Sequence, residues 1–277
     1  MFTQTKTELY KLSKRLRSYL GFGWMVVITT IIAYGFKSGP GPADMLEGAV
    51  PGDFTMVGSI TNAEFLAYFL MRGALLTFVP LFVCLVAGDL IAGETTDGTL
   101  RPLLARPITR VRVLVAKFIV AALYSFTLTM FLGAAALAVG WIFFGHGDLF
   151  VVENGIAIFP RNEALLRLGA AYALSALGML TVGTLAFFLS TMVANSLAAL
   201  GGAMMTMYAF VIVGTIPYFQ SASHYFFTTH MEAVRRELFN VPIVWHEVAV
   251  SSAYLGAYIV AFFLAAMLVF IRKDVLA

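Results

Sequence analysis

The run from Val113 to Phe144, VLVAKFIVAALYSFTLTMFLGAAALAVGWIFF, decides the class of this protein. One charged residue, Lys117, interrupts it, close to its start. A membrane crossing takes roughly 20 mostly apolar residues, so this run is long enough to span and too long for one straight crossing. Gly133 and Gly140 offer places to bend or to approach a neighbouring helix.

Five further runs of the same kind lie on either side, at 19–36, 65–92, 165–189, 194–218 and 248–271. The whole chain agrees with them: 60% of its residues are hydrophobic, 12% are charged, and the mean hydropathy is +0.88. A soluble domain has about 45–50% apolar and about 25% charged residues. No stretch is polar enough to cover a separate soluble core. The expected fold is therefore an all-α polytopic membrane protein, a single domain over 1–277 with six transmembrane helices. Between the first two runs, Gly39-Pro40-Gly41-Pro42 and Pro51-Gly52 mark a loop. A second loop, with His146, Asp148, Glu153, Pro160 and Arg161, follows Phe144.

Residues 1–18 read as an amphipathic helix lying in the membrane interface. Leu9, Leu12 and Leu16 share one face, with lysines and Arg15 on the other, a pattern suited to an anionic leaflet. The first apolar run ends in Lys37-Ser38-Gly39-Pro40 and lacks a small-x-small cleavage site, so it is read as a retained span. Twelve of the eighteen Lys and Arg residues fall on the side of the N-terminus, the 93–112 loop and the C-terminus. The positive-inside bias puts both termini in the cytoplasm, with the plasma membrane as the expected location. The basic residues serve topology, and no nucleic-acid partner is expected. Cys84, the single cysteine, sits inside an apolar run and reads as core filler.

The segment between the second and third spans carries the functional signal. Asp97 and Thr99 are candidate N-caps, and Pro102 suits a first helical turn. Leu100, Leu103 and Leu104 then share a face, Arg101 and Arg106 take the rest, and Pro107 ends the helix. A short helix of this kind either docks into a groove on a soluble partner or merely lies in the interface.

The series Ala92-Gly93-Glu94, Gly98-Thr99-Leu100, Leu103-Leu104, Arg106-Pro107 and Arg110, followed by Lys117, resembles the signature of type-2 ABC transporter permeases. The family's six spans, cytoplasmic termini, N-terminal amphipathic helix and membrane-dipping segment between spans 5 and 6 all have counterparts here. In this chain three residues separate Glu94 from Gly98, where many members set the acid beside the glycine. Either Glu94 or Asp97 is then the family-equivalent acid.

The resemblance implies that 94–110 is the coupling region. Leu100, Leu103 and Leu104 would fill a groove on a cytoplasmic ABC ATPase, Arg101, Arg106 and Arg110 would meet acids or lipid phosphates, and Glu94 would brace a neighbouring helix. It also implies a second permease chain, identical or related, with membrane lipids around both. No Gly-Lys dipeptide occurs, so a Walker A loop is absent. The chain is expected to bind no cofactor or metal and to carry no catalytic residue, with ATP and Mg held by the partner ATPase.

Along the fifth span Ala194, Ala198, Gly202 and Thr206 recur every fourth residue, a face read either as a dimer seam beside the pathway or as packing within the chain. Three other readings compete. A permease-like subunit transmitting force to extracytoplasmic partners would share the coupling region. A membrane-embedded enzyme would use His224, His230 and His246 with Glu232 and Glu247, but Val250 stands where His-Glu-x-x-His needs its second ligand. A secondary transporter would need ionisable groups at mid-membrane, where the runs here hold almost none.

Overall fold

The computed structural model describes residues 2–39, 60–96, 109–153 and 155–272. Six helices in it are long and apolar enough to cross a membrane. Span 1 is Leu16–Ser38, the basal part of span 2 Phe78–Thr96, span 3 Arg110–Phe144, span 4 Arg161–Met192, span 5 Ser196–Thr215 and span 6 Trp245–Arg272. A separate N-terminal helix, Phe2–Lys14, precedes them and breaks at Arg15, whose backbone is extended. The face that carries this helix, the start of span 3 and the end of span 6 is termed basal, and the opposite face distal.

Span 4 is the axis of the bundle, since spans 2, 3, 5 and 6 all pack on it. Two glycines of span 3 set close helix approaches. A Cβ at Gly133 would stand 2.8 Å from the ring of Tyr172 in span 4. One at Gly140 would stand 2.6 Å from Cα of Ala63 in the distal part of span 2. Both glycines therefore serve approach, and span 3 runs through them as one continuous helix.

Span 2 differs from the single run 65–92. It consists of Ala63–Ala74, a turn at 75–77, Phe78–Gly88, and a π-helical turn Asp89–Gly93 that leads into Glu94–Thr96. Pro80 explains the turn: it has no N–H to offer the carbonyl of Leu76, and its ring crowds that carbonyl. The Leu76 N–H instead donates to Gly73 O at 3.2 Å, and Thr77 Oγ1 donates to the same carbonyl at 2.9 Å.

The loop after span 3 contains an antiparallel hairpin, Leu149–Val152 against Ile156–Phe159, with Leu149 opposite Phe159. Leu149, Val151 and Phe159 are buried against the distal ends of the spans. Asn62 ties the hairpin to span 2: its Oδ1 caps the Phe65 N–H, and its Nδ2 donates to Asp148 O at 2.7 Å. Between spans 5 and 6, where the resemblance implies a membrane-dipping segment, short turns lead to a distal helix, Phe227–Glu237. Phe227, His230 and Val234 of that helix are buried against the bundle.

Candidate functional site

Four charged side chains meet at the basal face, drawn from three elements. Lys117, two helical turns into span 3 on its buried face, is 1% exposed. Its ammonium lies 2.9 Å from Glu94 Oε1, at the end of span 2, and 2.8 Å from Glu8 Oε2, on the N-terminal helix. Lys11 completes the ring, 2.8 Å from Glu8 Oε1 and 3.0 Å from Glu94 Oε1. Two cations and two anions balance, and the space left among them is ≈ 20 Å³, enough for about one water. Lys11 is 40% exposed, but Lys117, Glu8 and Glu94 are buried, and buried charges persist only when each has its counter-ion.

The π turn supplies the second layer. Its wider winding brings Asp89 and Gly93 together, so that a Cβ at Gly93 would stand 2.4 Å from Asp89 Oδ1. Asp89 itself ion-pairs with Arg15 and, at 3.1 Å, with Arg17, the residues on either side of the start of span 1. π turns inside α-helices concentrate at functional sites, because the extra residue re-aims the side chains around it. The N-terminal helix, span 1, span 2 and span 3 are thereby clamped at one point. Lys11, read from sequence as part of the polar face, reaches inward, and Leu12 packs beside it on the core.

Glu94 is thus buried and ion-paired to both Lys117 and Lys11. Arg110, half-buried at the start of span 3, donates from Nη1 to Ile271 O at 3.0 Å and so joins spans 3 and 6. Asp97, Gly98, Thr99, Leu100, Arg101, Leu103, Leu104, Arg106 and Pro107 lie outside the described residues. The small-residue face of span 5 is divided: Ala194 and Ala198 are exposed, while Gly202 faces Leu189 of span 4 and its carbonyl accepts from Thr206. Among the histidines, His230 stacks on Tyr254 at 4.2 Å. Its Nδ1 lies 3.2 Å from Ser251 Oγ and its Nε2 2.9 Å from His224 O, so both ring nitrogens are engaged.

Glu8 and Lys117 matter most here, and of the two the sequence singled out only Lys117, as the tail of a motif. Glu8 carries one available signal, being the lone acid in the basic stretch from Lys6 to Arg17. Burial works against its ionisation, but Lys117 and Lys11 outweigh burial and hold its carboxyl below the ordinary 4.5. For Lys11 burial again opposes the charge, and the hydrogen bonds to Glu8 and Glu94 outweigh it, holding the ammonium above the ordinary 10.5.

The two shifts fix a pH window for docking of the N-terminal helix. The share due to Glu8 is complete above pH 4.5 and is lost as pH falls through its lowered folded value. The share due to Lys11 is complete below pH 10.5 and is lost as pH rises through its raised folded value. A fluorophore on a cysteine at position 13, in a Cys84→Ser background, should give constant emission between those limits and change beyond either one. A transition near pH 7 would contradict this assignment.

Fold and site together define a multi-pass helical membrane protein whose N-terminal helix, span 2 and span 3 are joined by an ionic ring, with span 1 tied beside it through Asp89. Residues 43–276 match the family described as "Protein of unknown function (DUF2705)", and the chain belongs to that family. It is also 29% identical over 126 residues to the "Uncharacterized protein YhcI" of Bacillus subtilis (strain 168). That match covers 44% of this chain and 40% of the relative.

Proposed function

We propose that the chain is the permease subunit of an ABC transporter of the type-2 exporter class, driven by a separate cytoplasmic ATPase. On this reading it lies in the plasma membrane with both termini in the cytoplasm and works beside a second permease chain, identical or related. ATP and Mg belong to the ATPase.

One observation carries the reading. The segment 97–108 holds most of the coupling motif and lies in sequence between Glu94 of span 2 and Lys117 of span 3, which are ion-paired at 2.9 Å. A push on that segment by a closing ATPase would bear at once on the ends of spans 2 and 3. Span 3 would carry it onward as one continuous helix of 35 residues, about 50 Å long. At its far end Gly140 abuts the distal part of span 2, so displacement at the basal ring reaches the distal face without a flexible joint.

The ring also couples the elements it joins. An ionic contact held in low dielectric is strong and weakly screened, so helices joined by it move together. The N-terminal helix, clamped by Glu8 and Lys11, would follow the same stroke along the membrane surface.

Affinity purification of the tagged chain in mild detergent from its own host should bring down a Walker-motif ATPase. Leu103→Asp should abolish that recovery, because it sets a charge in the middle of the apolar docking face. Recovery of no ATPase, or equal recovery with the variant, would overturn the reading.

A further inference from the structure

A cavity of ≈ 390 Å³ opens toward the distal face, between the turn at 75–77, spans 4 and 5, and the distal helix. It is far from the ionic ring and takes no part in it. Leu75 and Leu76 of the turn line the cavity. Met179, Met207 and Phe210 give it an apolar lining, and Arg72, Arg235 and Glu232 line it as well.

The two guanidiniums are unequal. Arg72 is committed, lying 2.8 Å from Glu153 Oε1 and 3.3 Å from the hydroxyl of Tyr68. Arg235, half-buried on the distal helix, donates from Nη1 to Met71 O at 3.2 Å. Among the described residues no carboxylate stands within ion-pair distance of it, although Glu232 lies one turn back on the same helix. A guanidinium has five N–H donors, and one carbonyl leaves most of them without a protein acceptor. Leaving donors of a partly buried cation unmatched is costly, so such a group in a cavity calls for an anion. Arg72 lines the same space with its charge already met by Glu153, so Arg235 is the group an incoming anion would pair with.

We propose that this cavity binds an anionic amphiphile: a carboxylate or phosphate head on Arg235, flanked by Arg72, with its alkyl chain along Met179, Met207 and Phe210. The unbranched thioethers of Met179 and Met207 adapt to a flexible chain better than branched aliphatics do. If the chain is a permease, this names its class of cargo, but the site stands on the cavity alone and needs no ATPase.

The test is a calorimetric titration of the purified full chain in a non-ionic detergent, with no ATPase present. Dodecyl phosphate and laurate should bind at one site per chain, and dodecyltrimethylammonium and inorganic phosphate should not. Arg235→Gln should weaken binding of both anions about tenfold, the loss of one charge-assisted contact. Glu232→Gln should tighten it about threefold by removing the neighbouring negative charge. Equal binding of the cationic amphiphile, equal binding of free phosphate, or an unchanged Arg235→Gln variant would overturn the site. Should Arg235→Gln elute as aggregate, Glu232→Gln decides, and unchanged or weaker binding there overturns it. Because no ATPase enters the measurement, a failed titration is distinct from a failed co-purification.

Discussion

Replacing Lys117 by methionine should cost about 3–5 kcal/mol of stability and release the N-terminal helix, the largest effect expected of any single substitution here. Lysine at 117 is the buried partner of both Glu8 and Glu94, at 2.8 and 2.9 Å. Methionine fills the same volume, so the loss is one of charge and leaves two buried carboxylates to share Lys11. That origin makes a second expectation. Adding Glu94→Gln to Lys117→Met returns the ring to one anion and one cation, and should recover part of the lost stability. Denaturation by added SDS would measure both variants, and faster tryptic cleavage at Lys6 or Lys14 would report the released helix. A double variant less stable than the single one would refute the ionic account.

Gly140→Ala should be the next most damaging change, at about 1–3 kcal/mol. In a helix interior the same exchange ordinarily gains close to 1 kcal/mol from propensity. Here the new Cβ would stand 2.6 Å from the Cα of Ala63, and backbone cannot turn aside as a side chain can. The distal halves of spans 2 and 3 would have to separate, loosening the seat of the hairpin at Asn62. Gly256 in span 6 is the control, since a Cβ there meets nothing within 4 Å. Gly256→Ala should be neutral or mildly stabilising in the same SDS titration. Similar losses at both positions would mean that helix propensity, not close approach, governs these glycines.

The spans were legible because lipid demands long apolar runs, and those runs occupy most of the chain. What escaped the sequence reading depended on contacts between elements. The run 65–92 reads as one helix by hydropathy, yet Gly73 and Pro80 divide it once span 4 and the distal helix are in place to hold the turn. The hairpin lay within a stretch whose charged residues, Asp148, Glu153 and Arg161, suggested a plain loop. Its signal was present in the β-branched and aromatic runs on either side of Asn154-Gly155, a strong turn dipeptide. The ionic ring was half legible. Glu94 and Lys117 appear in the motif, but Glu8 is separated from Glu94 by most of two spans, and no local pattern links them. Likewise Arg72 and Arg235 converge only through the fold.

The central claim is that an ATPase drives this chain through the segment between Glu94 and Lys117. It is tested most directly by reconstituting the chain with its co-purified ATPase in liposomes and measuring ATP turnover for wild type, Leu103→Asp and Lys117→Met. The account predicts that wild type stimulates turnover, that Leu103→Asp abolishes both stimulation and binding, and that Lys117→Met retains binding while losing stimulation. Equal turnover with all three chains, at or above the rate of the ATPase alone, would contradict it.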